Sequence, residues 1–236
     1  MGTIYNVIGV LLGGSLGLMI GDRLSGDIQE SLLKVSGVAV FILGITGSVQ
    51  GLLRVSGTSL TSQGSMMMIV SLVLGTIIGE LLRIEQGFDH FGLWLKRVTG
   101  SDKDASFVDA FVTTSLTICV GAMAVVGSLQ DGLTGDSSTL LAKAVLDSLI
   151  VLVLTVSKGK GAIFSAVPIF LLQGGMTLAA RILAPILTGT ALAHLSLVGS
   201  VLIMCVGINL IWGKIIRVAN ILPAIVVAVI CALLNF

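Results

Sequence analysis

Hydrophobic positions in this chain form long runs, each closed by a short cluster of Gly, Ser, Asp, Lys or Arg. A helix needs roughly 20 apolar residues to cross a bilayer, and runs of that length follow one another along the whole sequence. The first extends from Ile4 to Gly21, the second from Leu33 to Leu53 and the third from Met66 to Leu82. Ile84 to Val98 breaks the pattern, because Phe88, Phe91, Leu93, Trp94 and Leu95 are mixed with Glu85, Asp89, Lys96 and Arg97. Such a mixture is too polar to span and predicts an amphipathic helix lying at the membrane interface. After the polar link Ser101-Asp102-Lys103-Asp104, the stretch from Phe107 to Ser157 reads as a central helical hairpin, turning through the glycine-rich Gly127 to Asp136. Lys158-Gly159-Lys160-Gly161 makes a basic turn. A sixth span runs from Ala162 to Leu183 with Pro168 inside it, a seventh from His194 to Trp212, and an eighth from Val218 to the C-terminus. Arg54 closes the second span, and Ser56 to Ser65 is expected to be a loop.

The predicted fold class is therefore all-α: a polytopic transmembrane helical bundle of about eight spans in one integral membrane domain. Its parts are residues 1–83 (spans one to three), 84–106 (interfacial segment and link), 107–157 (the hairpin) and 158–236 (spans six to eight). Composition agrees: 55% of residues are hydrophobic and only 11% charged, with a mean hydropathy of +1.11, outside the range of soluble domains. The first span has no basic residue before it and no small-residue cleavage site after it, so it reads as a span rather than a signal peptide. Cys119, Cys205 and Cys231 lie inside apolar runs without CxxC spacing and read as small buried hydrophobes. Tyr5, Trp94 and Trp212 fall at segment ends, where amphipathic rings favour the headgroup layer.

Charge orients this topology. Eight spans place Arg54, Lys143 and Arg181 on one side or within spans, and the other ten of the 13 Lys and Arg residues on the opposite side. By the positive-inside rule the richer side is cytoplasmic, and both termini are extracytoplasmic. Asp22 and Glu80 then end helices at the cytoplasmic face as solvated carboxylates.

Small residues recur at helical spacing. Gly9, Gly13, Gly17 and Gly21 share one face of the first helix, and Ser71, Gly75 and Gly79 share one face of the third. These glycine-zipper patterns predict close backbone packing, against neighbouring helices or a second copy of the chain. Gly44-Ile45 and Arg54-Val55 recur at the same separation as Gly207-Ile208 and Arg217-Val218, and Leu12-Gly13-Gly14 loosely matches Gln173-Gly174-Gly175. Spans one to three would then repeat as six to eight in opposite orientation, as in many secondary transporters. Chance likeness between apolar helices is the other reading.

Several stretches carry a family resemblance: Cys119-Val-Gly-Ala-Met-Ala-Val-Val-Gly-Ser-Leu-Gln-Asp-Gly132, Lys143-Ala-Val-Leu-Asp147, Phe164-Ser-Ala-Val-Pro168, Gly207-Ile-Asn-Leu and Val218-Ala-Asn-Ile-Leu-Pro223. In these the chain resembles the YqgA/YdfK-like family of uncharacterised bacterial inner-membrane proteins, over essentially its whole length. The resemblance implies a multi-pass location in the bacterial cytoplasmic membrane and a grouping with transport proteins, and adds nothing on mechanism.

Polar groups inside the spans are the candidate chemistry. A charge at that depth costs a few kcal/mol on insertion scales, so it normally has a partner and a use. Lys143 and Asp147 are four residues apart on a helix and close enough to pair. A structural ion pair and an ion site fit that spacing equally. Ser128, Gln130 and Asp131 stand at the hairpin turn, where capping is the alternative to a site. Gln173, Asn209 and Asn220 are either interhelical hydrogen-bond partners or the lining of one cavity. His90 and His194 lie at segment ends without an assigned role.

There is no HExxH, GxSxG, P-loop or Cys/His cluster, so no catalytic, metal or cofactor site is expected and the chain reads as a non-enzyme. Basic residues are dispersed over the loops, which argues against nucleic acid. The expected partners are membrane lipids and a small solute or ion, with self-association through a glycine face as a further option. Two functions remain: a secondary transporter or ion-coupled permease, and a non-transporting scaffold or accessory subunit whose glycine faces bind partner helices.

Overall fold

A computed structural model describes residues 1–21, 23–56, 59–101, 104–119 and 122–234. Asp22, Thr58, Asp102, Lys103, Val120 and Gly121, to which the sequence assigned loop, link or motif positions, lie outside the described residues. The chain is helical nearly throughout, in the order α1 (Gly2–Gly21), α2 (Gly26–Leu52), α3 (Ser65–Leu82), α4 (Ile84–Val98), α5 (Phe107–Cys119), α6 (Ala122–Thr134) and α7 (Ser138–Lys158). A 3-10 turn over Lys160–Ser165 leads to α8 (Ala166–Leu178) and α9 (Ala180–Leu183), then α10 (Gly189–Trp212), α11 (Val218–Ile221) and α12 (Pro223–Leu233). Among the described residues six helical segments are long and apolar enough to cross a membrane. The pair α5 and α6, bent by 62° at its break, makes up to seven, and Val218–Leu233 is a shorter apolar segment.

Three local readings change. The stretch read as a loop contains a short antiparallel hairpin, β1 (Leu53–Ser56) and β2 (Ser59–Ser62), pairing Leu53 with Ser62 and Arg54 with Thr61. The stretch read as a polar turn from Gly127 is helical to Thr134. Ser128 and Thr134 return their hydroxyls to the carbonyls of Ala124 and Gln130, so the polar residues need no turn to be satisfied. The chain reverses only at Gly135, whose φ of 76° suits glycine. Beyond it the Ser138 amide donates to Asp136 and holds that carboxyl below the usual carboxylate range. Ser101, read as part of a solvated link, is buried and accepts a hydrogen bond from Thr99 Oγ1. Pro168 explains the 3-10 turn: it has no N–H to offer Phe164, so a regular α-helix cannot extend back through it.

The chain divides into two compact units. The first comprises residues 1–36, 86–119 and 123–183. Its centre is the parallel contact of α1 and α7, in constant register: Gly9 faces Ala144, Gly13 faces Ser148, Gly17 faces Leu152 and Gly21 faces Val156. A Cβ at Gly9 would lie 2.8 Å from the Ala144 carbonyl oxygen, and one at Gly17 2.6 Å from that of Leu152. Glycine at these positions lets two backbones touch, which in lipid replaces the missing hydrophobic drive with dispersion contacts. Around this pair pack α5, the 3-10 turn and α8, with Val10, Ile118, Val151, Ala166 and Ile169 as the apolar core.

The second unit comprises residues 37–85, 120–122 and 184–236. Here α2 and α10 run antiparallel, with Gly44 against Met204 and Gly207 against Phe41, while Gly75 and Gly79 of α3 meet Ala224 and Asn220. Ser71 is fully buried on the same face of α3. Glu80 is exposed and pairs with Arg217 at 3.1 Å, and Glu85 pairs with Lys214 at 2.7 Å.

Candidate functional site

The buried face of α7 carries Leu140, Lys143, Ala144, Asp147, Val151 and Leu154, the i, i+3, i+4 stripe of a packed helix. Lys143 and Asp147 belong to that stripe, so they face protein rather than lipid. Lys143 Nζ donates to Asp147 Oδ1 at 2.9 Å and to the main-chain carbonyl of Ile118 at 2.8 Å. Ile118 lies in the last described turn of α5, which extends from Phe107 to Cys119. From α1, Asn6 Nδ2 donates to Asp147 Oδ2 at 2.9 Å and to Gln173 Oε1 of α8 at 3.2 Å. Asn6 and Gln173 are fully buried, Asp147 is 2% exposed and Lys143 8%.

Four helices thus place a cation, a carboxylate, two amides and a main-chain carbonyl in one apolar setting. Asp147 accepts at both oxygens, the role of an ionised carboxylate. Among the described residues Asn6 Oδ1 and Gln173 Nε2 are buried with no hydrogen-bond partner, as are the hydroxyls of Thr114 and Ser115 one turn before Ile118 on α5. A buried amide atom left without any partner costs about 1–3 kcal/mol, so these atoms are the places in the cluster where a water or an ion would be accommodated.

The surroundings are asymmetric. Thr3 and Thr177, within a turn of Asn6 and Gln173, approach each other at 3.5 Å. Nearer the start of α1, Asp131 of α6 accepts from the Met1 amino group at 3.0 and 2.8 Å and from the Gly2 amide at 3.0 Å. In the other direction the cluster is closed by apolar residues: Val10 is four residues beyond Asn6, Val151 four beyond Asp147 and Ile169 four before Gln173. One turn, about 6 Å of helix, therefore separates the polar layer from the apolar core. Beyond that core a cleft of about 460 Å³ is lined by Gly17, Gln29, Ser106, Asp109, Thr155 and Lys158. Asp109 and Lys158 pair across it at 2.6 Å, and the buried Thr155 hydroxyl has no partner among the described residues.

The sequence-derived candidates thus separate. Asp147, Lys143 and Gln173 come together. Asp131 anchors the start of α1, Gln130 accepts from Thr139 at 2.7 Å, and Ser128 is bonded within its own helix. In the second unit Asn209 donates to Ile216 O at 2.7 Å and accepts from the amides of Ile215 and Ile216, so it shapes the turn after α10. Asn220 accepts from the Glu85 amide at 2.7 Å. The sequence reading missed Asn6 and the Ile118 carbonyl. Asn6 is a lone amide in an apolar run, three residues before the glycine face, and that placement was the available signal. Among the described residues no three His, Cys, Asp or Glu side chains converge as a metal cluster. The second unit holds its own cleft of about 640 Å³, lined by Arg54, Gln63, Met67, Thr190, His194 and Leu197.

Helices of bilayer length, packed through glycines around a buried ion pair, define a multi-pass helical membrane protein. The profile of the family described as "Protein of unknown function (DUF554)" matches residues 1–233, and the chain belongs to that family. It is similar to "Uncharacterized protein YqgA" of Escherichia coli (strain K12), 28% identical over 232 residues, covering 97% of this chain and 94% of the relative. It is also similar to "Uncharacterized membrane protein YdfK" of Bacillus subtilis (strain 168), 24% identical over 226 residues, covering 96% and 93% respectively. No solved structure matches the chain.

Proposed function

We propose that this protein is a secondary transporter or ion-coupled permease of the bacterial cytoplasmic membrane, with Asp147 as its ion-coupling group. The observation that carries the reading is the buried cluster of Asn6, Lys143, Asp147 and Gln173 at the break after α5. Broken helices whose freed carbonyls meet a buried carboxylate are a recurrent way to bind ions inside a membrane. The apolar layer of Val10, Val151 and Ile169 supports it further, since alternating access needs a closed barrier beside the site. In this reading the chain is not an enzyme, and its partners are membrane lipids and a small solute or ion.

The motif likeness between the second and seventh spans favours the same class. Gly44 and Gly207 are equivalent in the matching motifs, as are Phe41 and Met204 by the same offset. Both glycines stand at the antiparallel contact of α2 and α10, Gly44 against Met204 and Gly207 against Phe41. The scaffold alternative loses its main support, because the glycine faces offered to partner helices are covered by α7, α10, α11 and α12 of the same chain.

The test is a thermal-shift screen of the purified protein against ions and small metabolites. Ligand binding to the folded state raises stability with the logarithm of ligand excess. A cation or cation-dependent solute should stabilise the wild type and leave Asp147→Asn unaffected. A response of equal size in both removes Asp147 from the function.

A further inference from the structure

We propose that the cleft of about 460 Å³ at the end of α7 binds a small zwitterionic solute of the amino-acid class, its ammonium on Asp109 and its carboxylate on Lys158. The site lies within the first unit and goes beyond the coupling role of Asp147, from which the apolar layer of Val10, Val151 and Ile169 separates it. Two buried hydroxyls point to an occupant. In the helices of this chain Ser36, Thr46, Thr76 and Thr117 return their hydroxyls to the carbonyl four residues back. Thr155 and Ser157 have the same carbonyls behind them, those of Val151 and Val153, and bond neither. Thr155 is 2% exposed, and neither hydroxyl has a partner among the described residues, although both residues line the cleft. A buried hydroxyl without a partner is costly, so a polar group from water or a solute belongs beside it.

The charges at the cleft select the class of occupant. Lys158, in the last turn of α7, donates to Asp109 Oδ2 of α5 at 2.6 Å, and Thr113 donates to Asp109 Oδ1 at 3.4 Å. Among the described lining residues these two carry the charge, one of each sign, so the site is neutral as it stands. A lone anion on Lys158, or a lone cation on Asp109, would leave the other member without its partner. A zwitterion supplies a new partner to each and keeps the total at zero. Opening the pair costs little, because the Asp109 side chain is 50% exposed and ion pairs within reach of water contribute weakly. Gln29 is fixed by donating its amide to the carbonyls of Gly21 and Leu24, which leaves Oε1 as an acceptor for an ammonium. The Thr155 and Ser157 hydroxyls are donors for a carboxylate. Leu18 and Leu33 add apolar lining for a side chain, and the volume falls within the range of about 300–1,000 Å³ for small-molecule sites.

The experiment is a thermal-shift titration of the purified full-length protein in detergent, with choline as the only added cation. A panel of the common L-amino acids is compared with the amines and the carboxylic acids that carry the same side chains. At least one amino acid should raise the melting temperature with the logarithm of its excess, and its amine and acid counterparts should not. Lys158→Met and Asp109→Asn should each lose that shift. Thr155→Val keeps the shape and both charges and removes only the buried hydroxyl. Without ligand it should melt at or above wild type, and its affinity should fall about tenfold, the loss expected for one hydrogen bond. A response to no amino acid, or an equal response to the amine or the acid alone, overturns the site. So does a wild-type response in Lys158→Met or in Thr155→Val. Each of these outcomes leaves the coupling role of Asp147 in place, because that role is tested with cations.

Discussion

Asn6 donates its side-chain amide to Asp147 at 2.9 Å, joining two helices whose sequence positions differ by 141. The same amide bonds Gln173, so one side chain of α1 holds together a carboxylate of α7 and an amide of α8. Replacing it by an apolar residue of similar size leaves both partners buried with one bond fewer. Asn6→Leu should therefore lower stability by about 1–3 kcal/mol and weaken any ion response. A melting temperature equal to that of wild type would show that the amide is dispensable.

The glycine register of α1 yields a graded series. At Gly13 an added Cβ meets the main-chain oxygen of Ser148, which cannot turn aside, whereas at Gly21 it stands 3.4 Å from Val156 Cα and at Gly26 it meets nothing. Gly13→Ala should destabilise by about 1–3 kcal/mol, Gly21→Ala little, and Gly26→Ala not at all through packing. Thermal unfolding of the three in detergent checks the order. Equal stability at Gly13 and Gly26 would mean that α1 and α7 are not in contact.

Asn209 offers the opposite kind of control. It makes three hydrogen bonds to the turn after α10 and none to the ion pair. At about 0.5–1.5 kcal/mol each, Asn209→Ala should cost a few kcal/mol of stability. Its ion response, measured at a temperature where it is folded, should match that of wild type.

Much of the fold was legible because a bilayer-length apolar run admits few interpretations. The runs behind α1, α3, α7 and α10 stand where hydropathy put them. The glycines of α1 announced close packing, but only a partner's register identifies α7 as what they pack on. The misread turn at Gly127 shows the limit of composition: Ser128 and Thr134 are polar yet helical, since their hydroxyls bond their own helix. The site was half legible. Lys143 and Asp147 stand out as charges in a span, and their spacing predicts the pair. Asn6 and the Ile118 carbonyl do not stand out, since each reaches the cluster through contact with a residue distant in sequence.

Topology is tested by accessibility. In a background lacking Cys119, Cys205 and Cys231, cysteines at Gln63 and Asp136 should react with an impermeant thiol reagent on intact cells. Cysteines at Thr99 and Ile215 should react only after permeabilisation. All four positions are exposed, so burial does not confuse the result. The asymmetry of basic residues motivates the assignment, and external labelling at Thr99 would reverse it.

The most direct test of the role given to Asp147 is ion-driven current in proteoliposomes, comparing wild type with the charge-neutral double variant Lys143→Met, Asp147→Asn. Removing one member of a buried pair costs about 3–5 kcal/mol, whereas removing both is often tolerated. The double variant should therefore fold and melt near wild type, more stable than Asp147→Asn alone, and it should carry no current on a cation or pH jump. A folded double variant with wild-type current would show that Lys143 and Asp147 form a structural pair only.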